Sequence, residues 1–449
     1  MSKIKRLSKK AVDAWIPLLA VLIICLATNA SGQEKPTFTQ ADSITYQLYL
    51  EGNWKKLADE GNRAVEMGYD FYYMRMRLGI AAFMTGKYRL ATVHFEKALN
   101  FYASDKTALD YLSTCYEWGG METEAAWLTH RYKNLLNEAS PVSNILVFGG
   151  AGFSDNEQAL SDLDIDGEPD IYGEVTGSGD MLYGGLGMTF SPARMFRWFA
   201  GYNYMTVDKH QRVVMDGADT LENHYTLAQN QFSGRFPVRI KQRWTLVPSV
   251  DLVTLKDQPV LVSWDTAGFV YQFDSMEVKR TEYIAGLKLF RDAPYWSAGV
   301  ALSNSGLNQQ NQWQGSVVAG YYPKASLDYY FVTTISALNE NGEINFHFKE
   351  TAGAKVIPRL WLQGSAHFGD LKNAHDETSI IIFNSVGQIR SRLSASAIFL
   401  ISKNLILQIE YSLINYKDRY LEYQDYETFT WNSFNYKNNN LTGGIKWKL

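Results

Sequence analysis

Three aspartates at alternating positions have the spacing that most directly suggests metal chemistry. Asp162, Asp164 and Asp166 precede Gly167 in the run DLDIDG. Such a run can present three carboxylates to one calcium ion, and the glycine lets the chain bend around it. The closing glutamate of a calcium loop would fall at position 173, which is glycine here, and Glu174 comes one residue late. We therefore expect a solvated acidic loop, with calcium as the weaker alternative, and no resident cofactor.

Histidine and aspartate side chains could serve acid–base chemistry at a few positions. These are His210, His224 and the adjacent His375 and Asp376, in polar stretches that we expect to be loops. They follow no motif with the spacing of a catalytic triad. The glycine-rich run at 149–152 lies inside a predicted strand, so it does not form a phosphate-binding loop. We expect no enzyme, and a barrel enzyme that uses His375 or Asp376 remains as a minor alternative.

The number and positions of the cysteines limit the thiol-based sites that the chain can form. The chain has two, Cys25 and Cys115, and Cys25 falls in an apolar run near the N-terminus. Ile24, just before it, is larger than the small residue that a lipoprotein signal places there. The single remaining thiol can form neither an internal disulfide nor a thiolate-rich zinc site. The apolar surroundings of Cys115 predict a buried, unreactive thiol.

The N-terminus has the pattern of a secretion signal. Five basic residues occur within the first ten positions, and an apolar, uncharged run follows over 14–27. Ala30 and Gly32 then provide the small residues that a cleavage site requires. The apolar run is short for a spanning helix, which needs about 20 residues, and an uncleaved anchor is the alternative. We expect a signal peptide over residues 1–32.

Residues 36–138 repeat with a period of 34 residues, as Gly52, Gly86 and Gly120 show. The pattern resembles the tetratricopeptide repeat, in which a glycine turns the chain between two helices and small residues let the helices approach. The resemblance implies a shallow groove for a peptide or protein, whereas the alternative is a rigid spacer or plug. The residues expected to make the repeat packing are Gly52, Gly86, Tyr88, Ala91, Phe95, Ala98, Gly120 and Ala125.

From Val142 onward the pattern changes to the two-residue alternation of β-strands. In the last segment Leu441 and Ile445 fall on one face, whereas Thr442 and Lys446 fall on the other. Strands of about ten residues suit a tilted crossing of a membrane. Because lipid offers no partners for backbone groups, strands can span it only as a closed barrel.

The connections between the predicted strands alternate between tight turns and longer polar stretches. We expect fourteen strands over residues 140–449. Residues 258–273 form either a hairpin beyond the membrane or two more strands, and the second alternative would make sixteen. Tight turns on one side and long loops on the other are typical of outer-membrane barrels. An even strand number then places both chain ends on the side of the tight turns. Glu350 conflicts with the alternation of apolar and polar side chains along the strands. Its charged side chain falls on the lipid face unless a bulge shifts the register or the strand is misassigned.

Basic residues dominate the positions that should point into this barrel. A basic lining would favour anionic or hydroxyl-rich solutes, because it lowers the electrostatic cost of their entry. Alternatively the charges pair with acidic residues such as Asp251 and Glu410 and fill a closed lumen. The basic residues predicted to line the lumen are Arg197, Arg235, Arg243, Lys288, Lys349, Arg390 and Arg392.

The expected fold is therefore a multidomain α + β chain, with a helical repeat followed by a transmembrane antiparallel barrel. This architecture resembles surface lipoprotein assembly modifiers, YaiO-type barrels and exopolysaccharide exporters. The resemblance implies a bacterial outer-membrane protein with periplasmic helices that acts in export or assembly of polysaccharide or protein. A non-transporting scaffold for a periplasmic partner is the alternative. We expect contacts with outer-membrane lipid and a periplasmic protein or cargo, and the net charge of −4 does not indicate nucleic-acid binding.

Overall fold

The computed structural model describes residues 36–136, 141–156, 172–193, 196–215, 219–265, 270–376, 381–383, 387–423 and 428–449. The predicted signal peptide and the calcium candidates Asp162, Asp164 and Asp166 lie outside these residues. Within them, helices come first and an antiparallel β-sheet follows. None of the helices in these ranges combines the length and apolar character that a membrane span requires.

Six helices form the N-terminal part of the described chain. They are α1 (Phe38–Leu50), α2 (Trp54–Glu66), α3 (Tyr72–Met84), α4 (Tyr88–Phe101), α5 (Lys106–Trp118) and α6 (Glu122–Arg131). Contacts divide the chain into one compact unit that ends at Asp70 and a second that spans Phe71–Leu449. In the first unit Thr37 and Gln40 cap the start of α1, because each side chain accepts the backbone N–H of the other.

The glycines of the 34-residue period turn the chain between paired helices. Gly52, Gly86 and Gly120 adopt φ of +68°, +74° and +72°, a backbone region that is costly for residues with a Cβ. They lie between α1 and α2, between α3 and α4, and between α5 and α6. The period of the sequence is therefore also a period of the backbone.

The small residues of α3 and α4 allow these helices to pack closely. Ala91, Phe95 and Ala98 of α4 are fully buried in an apolar core that also includes residues of α5 and α6. A Cβ on Gly79 of α3 would lie only 2.7 Å from the Phe95 ring. The Phe95 ring therefore occupies space that only a glycine at position 79 leaves open.

Aromatic contacts extend this core toward α5 and α6. Phe95 stacks on Tyr111, and Tyr88 packs edge-on against Trp118. Ala125 of α6 is buried as well. Cys115 is fully buried, as expected, and burial raises the pKa of its thiol to about 12, which disfavours the reactive thiolate.

The remainder of the described chain is almost entirely β-structure. The strands are β1 (Val142–Ser154), β2 (Tyr172–Ala193), β3 (Phe196–Met215), β4 (Asp219–Arg235), β5 (Val238–Lys241), β6 (Trp244–Asp257), β7 (Val260–Asp265), β8 (Val270–Ser275), β9 (Val278–Asp292), β10 (Trp296–Ser305), β11 (Gln312–Tyr321), β12 (Tyr329–Glu340), β13 (Glu343–Ile357), β14 (Leu360–Gly369), β15 (Gln388–Leu400), β16 (Leu405–Tyr423) and β17 (Phe429–Lys448).

The strands close into a barrel, because β1 pairs with β2 on one side and with β17 on the other. The short β5 pairs with β3 and β6, as β4 does, so β4 and β5 together form one interrupted barrel strand. The described strands therefore confirm the expected fourteen. Strands β7 and β8 pair with each other in a separate two-stranded sheet and add no strand to the barrel, so the alternative of sixteen is wrong.

The barrel is apolar outside and polar inside, the reverse of a water-soluble core. Polar side chains such as Asp251, Gln314 and His347 are buried at alternate, inward positions. The outward positions expose large apolar side chains on all fourteen described strands, for example Val147, Leu186, Tyr202, Phe232, Leu252, Leu287, Val300, Val317, Ile335, Phe346, Leu362, Leu393, Ile409 and Leu441.

Glu350 is an exception on the apolar outer face. It shares its side of β13 with the exposed Phe346 and Phe348, and the β12–β13 register runs without a shift through this position. Neither a bulge nor a misassigned strand is therefore present. The hydroxyl of Thr333, which lies opposite, donates a hydrogen bond to the Glu350 carboxylate at 2.6 Å.

Several stretches that looked like loops are extensions of barrel strands. Residues 208–215 and 219–223 form the paired ends of β3 and β4, and residues 417–423 and 429–435 extend β16 and β17 in the same way. Hydrophobic alternation ends there because both faces of a strand beyond the membrane can be polar, although backbone pairing continues. The pattern therefore underestimates strand length on this side.

Candidate functional site: the barrel lumen

The helices meet the barrel at the end where strand connections are short. The backbone N–H of Arg89, in the first turn of α4, donates to the carbonyl oxygen of Ala325 between β11 and β12. Its guanidinium donates at 2.8 Å to the Asp292 carboxylate and at 2.8 Å to the Ala293 carbonyl oxygen, both at the β9–β10 turn. It also donates to the Gly119 carbonyl oxygen at the end of α5. One side chain thus joins two helices to a barrel turn.

Two arginines at the β5–β6 connection contact α4 and α6. Arg239 donates to one carboxylate oxygen of Glu124 in α6 at 2.6 Å and lies over the Trp127 ring. The backbone N–H of Arg243 donates to the other oxygen of Glu124, and the Arg243 guanidinium donates to Glu96 of α4 at 2.9 Å. Burial raises the pKa of Glu124 above its ordinary value, although the contacts with Arg239 and Arg243 act in the opposite direction.

A third contact uses Glu122 at the start of α6. Its carboxylate lies 2.5 Å from the Arg197 guanidinium of β3 and 3.3 Å from the Lys446 ammonium of β17. Burial raises the pKa of Glu122, but attraction from Lys446 and Arg197 outweighs it and lowers the pKa to about 2. Further along α6, His130 lies 2.6 Å from the carbonyl oxygen of Ser191. Contacts with α4–α6 therefore occur at several points of the barrel mouth.

The basic residues predicted to line the lumen have different surroundings. Arg197 and Arg243 contact the acidic residues of the helices, as described above. Lys288 and Lys349 are half-buried on the inner alternation of β9 and β13. Arg390 is exposed where the β15–β16 register shifts, so it lies outside the regular inward alternation.

Arg235 and Arg392 form ion pairs within the barrel. Asp251 is fully buried and accepts hydrogen bonds from Arg235 at 3.0 Å and from the Ser233 hydroxyl at 2.6 Å. Arg392 donates to Glu410 at 2.6 Å. Pairing offsets the large desolvation cost that an isolated buried charge would carry. These two arginines therefore bind acidic residues of the wall.

A segment predicted as part of an outer loop lies inside the barrel. It comprises residues 370–376 and 381–383, which we call the inner segment, and its Leu371 and Ala374 are fully buried. Leu371 and Phe383 join inward side chains of β12, β15 and β16 in an apolar cluster. The apolar run at 381–383 was the one signal of this in the sequence, because a solvated loop has little use for it.

Polar contacts hold the inner segment against the wall. His375 Nε2 and Ser303 Oγ are 2.9 Å apart, and the Gln314 side chain donates to the His375 carbonyl oxygen at 2.8 Å. The Asn373 side chain donates to the Glu340 carboxylate at 2.8 Å. His375 is 3% exposed, so it does not lie at the rim where the sequence placed a candidate acid–base residue.

A cavity of about 340 Å³ is lined by the inner segment and by strands from several sides of the barrel. Apolar side chains such as Met181, Leu227 and Phe383 face it. Lys209 and Arg280 add positive charge to the same wall. A space with both kinds of lining suits a solute that has apolar and polar parts.

The other two histidines singled out in the sequence occupy paired strands. His210 of β3 lies opposite His224 of β4 in the register, beyond the apolar part of the outer face. The spacing of 14 residues between them becomes meaningful only once the β3–β4 register is known.

These features define a closed, fourteen-stranded antiparallel barrel whose mouth on the short-turn side is contacted by helices. No protein-family model matches the chain, and no curated protein matches it. Among solved structures it is similar to the Pseudomonas putida toluene transporter TodX, at a TM-score of 0.45 and 9% identity over 69% of this chain and 91% of that one. A Pseudomonas aeruginosa FadL homologue gives 0.42 and 9% over 73% and 94%. A bacterial polysaccharide outer membrane secretin gives 0.34 and 10% over 69% and 99%.

Proposed function

We propose that this chain is a bacterial outer-membrane barrel that acts in the export or assembly of surface cargo, polysaccharide or protein. The observation that carries the proposal is the reversed polarity of the barrel, in which apolar side chains face outward on every described strand and polar ones are buried. A surface of this kind is stable against lipid and unstable against water. Closure of the strand order leaves no edge to aggregate in the bilayer.

The position of α3–α6 supports a periplasmic location for these helices. Barrels of this class place short turns in the periplasm and long connections outside. Arg89, Glu122 and Glu124 contact the barrel at its short-turn end. The helices would therefore lie where a periplasmic partner or cargo arrives.

The type of contact supports a movable closure. The helices meet the barrel through ion pairs and hydrogen bonds at Arg89, Arg197 and Arg243. When such groups separate, water hydrates them again, whereas separation of an apolar interface would expose apolar surface to water. In this proposal cargo passes when α3–α6 leave the mouth and the inner segment leaves the lumen.

The 34-residue period supports a binding role for the helices. Three glycines with similar positive φ and the small residues of α4 are features of tetratricopeptide-like pairs, which present a groove to peptides. We assign the helices the task of engaging a periplasmic protein or the cargo itself.

Conductance of the purified chain in planar bilayers tests the proposal. The double variant Arg89→Ala with Glu124→Gln removes two of the contacts to the mouth and should raise the frequency of open events over wild type. Lys106→Ala is the matched control, because it removes the exposed Lys106–Asp110 pair on α5 and leaves the mouth intact. A barrel that stays closed in the double variant, with normal folding, argues against passage through the lumen.

A second candidate is a non-transporting scaffold that tethers a periplasmic partner. The buried Arg89 with its several hydrogen bonds and the inner segment both favour a barrel that stays shut. Crosslinking of the full chain in cells separates the two candidates. One stoichiometric envelope protein crosslinked to the helices, together with no conductance in any variant, supports the scaffold.

A further inference from the structure

Three side chains with metal-binding groups converge on the outer ends of β3 and β4. His210 lies opposite His224 in the strand register, and their rings are stacked with centroids 4.1 Å apart. Glu222 precedes His224 by two residues, and its carboxylate oxygen is 3.8 Å from His210 Nε2. One ligand atom from each of the three residues lies within 4.8 Å of the others.

The strand geometry explains why these residues meet. Residues two apart on a strand point to the same face, so Glu222 and His224 share a face of β4. Directly opposed residues on antiparallel strands have Cβ atoms about 5 Å apart, which brings His210 to the same place. The backbone pairs around them are continuous from Met215 to Phe199 in β3, so the positions are fixed by the ladder.

We propose that His210, Glu222 and His224 form a binding site for a divalent transition-metal ion such as Zn²⁺. Two imidazoles and one carboxylate are a common protein ligand set for Zn²⁺ with an open fourth position. Ligand bonds of about 2.1 Å require ligand atoms about 3.4 Å apart, and rotation about side-chain bonds closes the observed separation. Ca²⁺ and Mg²⁺ prefer oxygen ligands, so the two imidazoles favour a transition-metal ion over them.

The surroundings of the site bear on its affinity. Arg212 lies opposite Glu222 in the register, so its positive charge opposes a bound cation. Asp208 is nearby on β3, and the Thr226 hydroxyl donates to it at 3.4 Å. His210 is half-buried, whereas Glu222 and His224 are exposed, so an ion can reach the site from the side of these two residues.

A bound ion would add a link between β3 and β4 at a part of the outer face where the described side chains around the site are polar. Asp208, Glu222 and Thr226 beside the site are polar, and the Thr226–Asp208 hydrogen bond and the stacked histidine rings join the strands in addition to the ladder. Metal binding is coupled to the stability of the structure that positions the ligands. We therefore assign the ion the role of fixing the outer β3–β4 hairpin.

Titration calorimetry of the full chain in detergent with ZnCl₂, after removal of any affinity tag, tests the site. We expect one Zn²⁺ per chain, and His210→Ala or His224→Ala should weaken binding at least about tenfold. Glu222→Gln should weaken it less, because a neutral amide oxygen still faces the ion. Glu277→Gln is the matched control, because it removes an exposed carboxylate from another outer hairpin, where Glu277 pairs with Lys256 and Lys279.

Two results would overturn the proposal. One is wild-type protein that binds no Zn²⁺ at millimolar concentration, and the other is a His210→Ala/His224→Ala variant that binds as wild type does. Heat-modified mobility in gels checks that each variant is folded. The spectrum of Cu²⁺ bound to wild-type protein gives a measurement that needs no variant, because two nitrogen ligands support the site and oxygen ligands alone contradict it.

Discussion

Arg89 of α4 and Asp292 at the end of β9 form an ion pair with a separation of 2.8 Å, although 203 positions separate them in the chain. The Arg89 side chain is 1% exposed and the Asp292 side chain 14%. The Tyr322 ring covers the guanidinium of the pair, with its centroid 3.9 Å from Arg89 Cζ. A helix is thus attached to a barrel turn by a charge that has no access to water.

Replacement of Arg89 should loosen the helices from the barrel. In Arg89→Ala the Asp292 carboxylate and the Ala293 carbonyl oxygen lose their donor in a buried place, a change that costs about 3–5 kcal/mol. Limited proteolysis of the folded chain should cut α3–α6 at least tenfold faster than in wild type. Lys106→Ala is the control, because exposed pairs contribute about 0–1 kcal/mol. Equal cleavage of Arg89→Ala and wild type would contradict the role of this pair.

Acid should weaken the contact made by Glu122. Its pKa is lowered from 4.5 to about 2, so its contribution to docking is complete above pH 4.5 and is lost as the pH falls toward 2. The pKa of Glu124 is raised in the folded chain, so acid does not weaken its contribution to docking in the same way. The measurement is the difference in proteolytic protection of α6 between wild type and Glu122→Gln, followed from pH 6 downward. This difference should shrink with acid, and a constant difference would be against the assignment.

The sequence was sufficient to predict the barrel fold, but it was insufficient to predict the partners of the side chains that point into the barrel. Lipid selects apolar residues at every second position, and Leu441 and Ile445 show the alternation directly. Arg197 and Arg243 looked the same as any inward basic residue, because their partners Glu122 and Glu96 lie on helices far away in the chain. Local patterns carry no information about such pairs.

The inner segment and the outer hairpins were missed for a related reason. A polar stretch of sequence predicts a solvent-exposed segment, whether the segment lies in water or inside a polar lumen. Asn373 and His375 are buried, yet their neighbours in the sequence give only the apolar run at 381–383 as a hint. The His210–His224 pair depends on a register that the polar stretch between them does not reveal.

A Cβ at position 79 should disturb the packing of α3 on α4. In Gly79→Ala it would lie 2.7 Å from the Phe95 ring, and overpacking costs about 1–3 kcal/mol. The better helix propensity of alanine recovers about 1 kcal/mol, so the net loss is up to about 2 kcal/mol. Thermal unfolding of the helices should show it. The additional change Phe95→Leu should remove the clash and make alanine at position 79 neutral or favourable relative to glycine, and a persistent loss in that background would contradict the steric explanation.

Removal of the outward carboxylate of Glu350 should stabilise the barrel in lipid. Its position beside the exposed Phe348 on the outer face of β13 places a charge or an acid against acyl chains, at a cost of about 1–2 kcal/mol. Folding of Glu350→Val into vesicles should show a higher urea midpoint than wild type. Thr333→Val alone should be destabilising, because Glu350 then loses the donor at 2.6 Å, and neutral in the Glu350→Val background. Independent effects of the two changes would mean that the hydrogen bond does not form in the bilayer.

Release of the inner segment should open the lumen if cargo passes through it. Gln314 contacts the His375 backbone twice, at 2.8 Å as a donor and at 3.3 Å as an acceptor. Gln314→Ala removes both contacts and leaves a buried carbonyl oxygen and N–H without that partner, at a cost of about 1–3 kcal/mol to the closed state. Open events in planar bilayers should therefore become about tenfold more frequent. Gln363→Ala is the control, because Gln363 lies on β14 and accepts from Tyr330 instead of the inner segment. Unchanged gating in Gln314→Ala, in protein that folds normally, would mean that the inner segment stays in place and that the lumen is a structural core.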